Sequence, residues 1–180
     1  RYPQVELLIK FGSRDKFLHS LKDNILDIAF FVDQKIVESD FVSIFEIQEP
    51  MVLLCAPDHP FAKMEKVYPK DLSDESLILT EPSCGYRILF NSVMSQFHVK
   101  ARSVIETGNV QAIKQLTLSG MGITFLPQTA VEEELQQKRL VKLKWMGPEF
   151  CIYTQALHYK TKWMSASLKA FIDLMHEMDI

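Results

Sequence analysis

Cysteine is scarce. Cys55, Cys84 and Cys151 are the only three in 180 residues, an odd number spread far apart and without metal-site spacing. That excludes a disulfide-stapled scaffold and a thiolate zinc site as the organising device. Long apolar runs are missing as well. The longest, such as 51–56, falls far short of the roughly 20 residues a membrane-spanning helix needs. Positive charge is not in excess: 20 Lys and Arg face 23 Asp and Glu, a net charge of -3, so no basic surface announces nucleic acid. No internal repeat or low-complexity tract occurs. The five histidines (His19, His59, His98, His158, His176) lack any partner at the i, i+4 spacing of a zinc helix. A Gly-x-Ser-x-Gly elbow, a phosphate-binding loop and a dinucleotide fingerprint are all absent. Neither Ser83 nor Cys84 has a base beside it in sequence. Catalysis, a metal and a cofactor are therefore not expected, and the thiol content reads as a cytoplasmic chain.

What is present is an ordinary globular composition, 47% hydrophobic and 24% charged. The stretch 106–127 shows its plan most plainly. A β-branched run at 102–106 reads as a strand, and Thr107-Gly108-Asn109 as a turn whose last residue caps a helix. Val110, Ile113, Leu116 and Thr117 then recur at helical spacing. Ser119-Gly120-Met121-Gly122 stops that helix, since glycine reaches left-handed angles at little cost. A buried strand follows at 123–126, and Pro127 opens the next helix.

The same grammar runs along the rest. Strands are expected at 5–11, 26–32 (apolar enough to be buried on both faces), 41–47, 51–56, 76–80, 140–145 and 150–159. Helices are expected after Ser13, after the turn 81–87, over 128–137 and over 162–178, with a short helical turn at 69–72. Alternating strands and helices imply a mostly parallel sheet covered on both faces. Breaks at 57–60 and at Gly147-Pro148 bracket a middle block inserted into a flanking one. That is the plan of a two-lobed binding protein, whose ligands sit outside the carboxyl ends of the strands.

Two turns carry the chemistry. At Ser83, Cys84, Gly85, Tyr86 and Arg87 a strand hands over to a helix. Free amides, a hydroxyl and a guanidinium there suit a carboxylate or other small anion. On the plainer reading Ser83 caps the helix and Arg87 pairs with a surface carboxylate. Thr107, Gly108 and Asn109 form the equivalent turn one unit later, again either anion-binding or simply capping. Cys84, at a helix start near Arg87, is either a packing residue or a reactive thiol. Cys55 and Cys151 read as core, as do most of the eight methionines, including Met164, Met175 and Met178.

At the level of motifs the chain resembles the effector-binding domain of LysR-type transcriptional regulators. The resemblance is carried by Tyr2-Pro3-Gln4-Val5-Glu6-Leu7, Gly12-Ser13, Leu21 through Leu26-Asp27-Ile28-Ala29, and the crossing segment 51–60 with Asp71-Leu72 after it. It continues in the 119–127 stretch and in Leu140-Val141-Lys142-Leu143, while 81–87 is similar to a variant found in a large branch of the family. It implies an α/β, two-lobed periplasmic-binding-protein-like (type 2) fold with mostly parallel sheets flanked by helices. Lobe one would be 1–56 and 157–180, lobe two 57–156, joined by two crossing strands. A small effector, expected to be an anion, would sit in the cleft between lobes and bias a homodimer or homotetramer on promoter DNA. Position by position the resemblance points to Ser83, Cys84, Tyr86, Arg87, Thr107, Gly108 and Asn109, and from lobe one to Gly12, Ser13 and Phe30. Two departures stand out. The winged helix-turn-helix with its linker helix is not in these residues, so DNA contact is expected only through a missing N-terminal domain. Nor are the first strand and helix of the domain, which in the family share in the pocket and the dimer surface. Competing expectations are a transporter's solute-binding protein and a redox sensor acting through Cys84.

Overall fold

The computed structural model describes residues 2 and 4–177. The chain divides into two compact units, Arg1–Gln48 with Tyr153–Ile180, and Glu49–Ile152.

In the first unit α1 (Arg14–Lys22) turns Leu18 and Leu21 inward, then ends at Asp23. Asn24 follows with a left-handed φ of 57°, a conformation asparagine tolerates. β1 (Ala29–Asp33) lies antiparallel to β8 (Ile152–Tyr159), which is flanked on its other side by β2 (Phe41–Glu49). Leu18, Leu21, Ala29, Phe31, Ile36 and Leu157 form the core. α5 (Ala166–Glu177) closes the unit with Leu168 and Met175 buried.

Several expectations change here. Residues 5–11 belong to no strand, and Leu7, Leu8, Ile9 and Phe11 are exposed, Phe11 by 92%. Strand-like residues make a strand only where a neighbour takes up their amides and carbonyls, and among the described residues none does. β1 begins at Ala29 rather than Leu26 and alternates buried and exposed, so only one face is covered. Its antiparallel pairing permits that, whereas an all-parallel strand would need both faces covered. α5 begins four residues later than expected because Ser165 caps it, its Oγ accepting the Leu168 N–H at 3.1 Å. Met178 lies outside the described residues.

The second unit contains β3 (Met51–Cys55), β4 (Ser76–Leu79), β5 (Ser103–Glu106), β6 (Ile123–Pro127) and β7 (Val141–Lys142), in the sheet order β5-β4-β6-β3-β7. β5, β4 and β6 run parallel side by side, and the crossing strand β3 runs against them. β7 pairs antiparallel to β3 and so shares the direction of the first three. Each strand puts alternate residues on opposite faces. Leu53, Leu77, Leu79, Ile123 and Phe125 meet α2 (Gly85–Gln96) through Tyr86, Phe90, Val93 and Met94. Val52, Leu54, Ile78 and Leu126 meet α3 (Val110–Leu118) through Ile113. The sheet is thus sandwiched between helices, which is why β4 and β6 are buried throughout.

Gly120, at φ +74°, supplies the left-handed stop after α3. Gly122 is required on other grounds, because a Cβ there would collide with the backbone carbonyl of Ser76. The helix expected over 128–137 is a 3₁₀ turn, Gln128–Val131, followed by α4 (Glu132–Gln136). The N-cap of that turn is Pro127, the last residue of β6. The strand expected at 140–145 shrinks to β7, although Val67 still bridges to Trp145. Cys151, expected in a strand core, is exposed just before β8; Cys55 is fully buried, and that burial pushes its thiol up to about 11.

Candidate functional site

β4 ends at Leu79 with every side chain buried, so the chain must leave the sheet edge there. Thr80-Glu81-Pro82-Ser83 makes the exit, closed by the Cys84 N–H donating to the Glu81 carbonyl at 3.0 Å. α2 starts at once, with Cys84 rather than Ser83 as its N-cap and no side chain capping it. A helix leaves its first amides without internal partners, and the backbone dipoles make that end electropositive. Ser83 is exposed beside these amides and Cys84 is half-buried. Tyr86 points the other way, into the core against Phe125 at a ring separation of 6.1 Å. Burial first, and then the neighbouring Cys84, push its hydroxyl far above the ordinary phenol range, so it stays protonated.

Of the two readings of Arg87, the ion pair with a partly exposed carboxylate describes its contacts. Arg87 is buried, and three of its donors are engaged within the protein. Nη1 donates to the Thr80 carbonyl at 2.7 Å, Nε to Asn91 Oδ1 at 2.9 Å, and Nη2 to Glu106 Oε1 at 2.9 Å. It ties the end of β4 to α2 and to the last residue of β5, which lies opposite Leu79 in the sheet register. Its charge reaches the turn largely offset by Glu106.

The second turn differs from the first. Asn109 is the N-cap of α3, and its Oδ1 accepts from the Gln111 N–H at 2.9 Å and the Ala112 N–H at 3.2 Å. Thr107 Oγ1 accepts from the Asn109 N–H at 3.2 Å. These polar groups serve the turn itself. Gly108 has another neighbour: the Glu81 carboxylate lies where a Cβ on that glycine would fall. The two turns of this unit are therefore neighbours, linked through Glu81 and through the Thr107 N–H to Leu79 carbonyl bond of 3.2 Å.

The three lobe-one candidates belong to the first unit. Gly12 and Ser13 are exposed just before α1, Ser13 as its N-cap without a side-chain cap bond. Phe30 is half-exposed on the open face of β1, 6.0 Å from the ring of Phe45. Glu81, Asn91 and Glu106 are the residues sequence reading passed over. Asn91, one turn after Arg87, carried a usable signal at i, i+4; the two glutamates became neighbours only through strand pairing. Among the described residues no group of His, Cys, Asp or Glu is placed to hold a metal ion.

The second unit is thus an α/β layer with an uncapped strand-to-helix turn where β4 leaves the sheet. A sequence model of the LysR substrate binding domain family matches residues 1–179, and the chain belongs to that family. An uncharacterised HTH-type transcriptional regulator, YwqM of Bacillus subtilis, is 36% identical over 174 residues, covering 96% of this chain and 59% of that protein. The HTH-type transcriptional regulator CbbR of Rhodospirillum rubrum is 33% identical over 146 residues, 81% of this chain and 48% of its own. The chain thus spans less than two thirds of these curated relatives. Among solved structures, the regulatory domain of Synechocystis PCC6803 CcmR in complex with 2-PG superposes with a TM-score of 0.81 at 25% identity, over 98% of this chain and 84% of that one. The effector binding domain of QuiR in complex with shikimate shares the fold at TM-score 0.72 and 22% identity, over 90% of this chain and 76% of that one. Among the described residues no helix is long and apolar enough to cross a membrane.

Proposed function

We propose that the chain senses a small anionic metabolite for a bacterial LysR-type transcriptional regulator, and that the anion sits on the α2 turn, at Ser83 and the amides that follow. The observation that carries this reading is the contrast between the two turns. α3 spends its first amides on Asn109, while α2 begins with no side-chain cap and an exposed hydroxyl beside it. A carboxylate or phosphate placed there gains charge-assisted hydrogen bonds and the favourable end of the helix dipole. The relatives' names support the regulatory setting, and the complexes of CcmR with 2-PG and of QuiR with shikimate support a small-molecule guest. In the whole protein, occupancy shifts the balance between oligomer arrangements on promoter DNA in the cytoplasm, with no chemistry performed on the ligand.

The test is a thermal-shift screen of small carboxylates and phosphates, including 2-PG and shikimate, on the wild-type chain and on Ser83→Ala. Ligand at a hundredfold excess over its Kd adds about 2.7 kcal/mol of stability, so a true effector gives a clear rise in Tm. Ser83→Ala weakens that rise without lowering the ligand-free Tm. An anion that stabilises both proteins equally is not bound at this turn, and a screen with no hit refutes the anionic class. Arg87→Ala is a poor control, because it removes three structural hydrogen bonds at once.

A further inference from the structure

We infer that the second unit carries a separate binding pocket for a small aromatic carboxylate, at the β3–β7 edge of its sheet. The depression, of about 380 Å³, lies where β3 meets the chain after β7, and Met51, Leu53, Lys142, Lys144, Trp145 and Phe150 line it. That volume is at the small end of ligand sites, enough for a single-ring molecule. The inference stands independently of the anion site at Ser83.

The walls are held by backbone. The Leu143 N–H donates to the Leu53 carbonyl at 2.9 Å, and the Met146 N–H to the Val67 carbonyl at 2.8 Å. Trp145 is fixed at its polar end, Nε1 donating to the Pro148 carbonyl at 3.0 Å, and its ring lies against Gly147, where a Cβ would collide with it. It stacks on Phe150 at 5.9 Å with a 25° interplanar angle. A planar guest would find a preformed aromatic wall, with the thioether of Met51 adapting to its edge.

Charge selects the rest of the guest. Both charged side chains of the lining are lysines. Lys142 Nζ donates to the neutral Gln128 Oε1 at 2.9 Å. Lys144 Nζ pairs with Glu65 at 2.7 Å, an ion pair with side chains 59% and 85% exposed and so of little strength. A ligand carboxylate can recruit either ammonium at small cost, whereas a ligand cation would meet like charge. Apolar and aromatic walls with a cationic rim describe an aromatic monocarboxylate.

Trp145 reports on its own pocket. The other tryptophan, Trp163, is 80% exposed in the first unit, so Trp163→Phe leaves a single reporter in an otherwise unchanged chain. Benzoate titrated into this variant is expected to change Trp145 emission saturably in the millimolar range or tighter. Neutral benzamide and ring-free acetate should each do markedly less. Lys142→Gln with Lys144→Gln should raise the benzoate Kd about three- to tenfold while the thermal midpoint stays put, both lysines being exposed. Ser83→Ala should leave it unchanged. No saturable response, a response equalled by benzamide, indifference to the lysine pair, or loss in Ser83→Ala would each overturn the inference.

Discussion

At the scale of single residues, two buried cations do structural work that their charge alone would not disclose. Arg87 holds the Thr80 carbonyl, Asn91 and Glu106 in one knot. Arg87→Ala leaves a buried carbonyl without its donor and should cost about 2 kcal/mol in denaturant unfolding. Glu106→Gln should cost less than about 1 kcal/mol, since that carboxylate is 43% exposed. Lys114 is buried to a similar degree: Nζ contacts Glu134 Oε1 at 2.8 Å and donates to the Ala130 carbonyl at 3.0 Å, fixing α3 to the segment around α4. Burial is the largest single influence on the Glu134 pKa and acts to raise it, but the hydrogen bond from Lys114, a backbone hydrogen bond and the charges of Lys114 and Arg139 together outweigh it, and the net value is lowered. A carboxyl whose pKa is lower folded than unfolded contributes stability above its unfolded pKa and loses it as pH falls through the folded one. The stability advantage of wild type over Glu134→Gln should therefore be full at neutral pH and shrink below about pH 4.5, as followed by Tm against pH. Lys114→Ala leaves a buried carboxylate with only the partly exposed Arg139, at 3.7 Å, as ion partner and should cost about 3 kcal/mol, while replacing Lys114 and Glu134 together by apolar residues should cost less than either single change.

Elements obey rules that sequence displays well, except where another part of the chain decides. The helical spacing of Tyr86, Leu89, Phe90, Val93, Met94 and Phe97 announced the apolar face of α2; Tyr86, Phe90, Val93 and Met94 are buried, while Leu89 and Phe97 pack partly buried against the same core. Asn109 was legible as a cap from its place before Val110, and it caps. Asn109→Ala should cost about 1 kcal/mol, whereas Ser83→Ala, beside an uncapped helix, should be near neutral; the difference in urea midpoints measures this. Less legible were elements that depend on a distant partner. Residues 5–11 have strand-like composition, and among the described residues none pairs with them. β1 looked buried on both faces because Phe30 and Val32 are apolar, yet both are partly exposed. The extent of β7 is set by how far β3 accompanies it. Phe125 shows the same point in the core: its ring meets Phe90 at 4.9 Å and Phe150 at 4.5 Å, contacts between residues far apart in sequence. Phe125→Ala should cost about 3–5 kcal/mol.

Across the whole molecule, the order of motifs was more informative than any one of them. The run from Gly12-Ser13 through 51–60 to 119–127 sufficed for the LysR family, which the match over residues 1–179 establishes. The candidate site was legible only as two turns. Sequence reading assigned them equal roles, because a serine, threonine or asparagine before a helix looks the same whether it caps or waits for a ligand. Three dimensions separate them: Asn109 fills its own turn, Arg87 is drawn inward, and Glu81 settles against Gly108. The start of α2 is the one of the two turns without a side-chain cap. The most direct measurement is amide NMR of the isotope-labelled chain titrated with small carboxylates and phosphates, 2-PG and shikimate among them. An anion seated on the α2 turn predicts saturable shifts centred on the N–H groups of Ser83, Gly85, Tyr86 and Arg87, with those of Gln111 and Ala112 nearly still. Saturable shifts centred elsewhere, with the α2 amides unmoved, would contradict it.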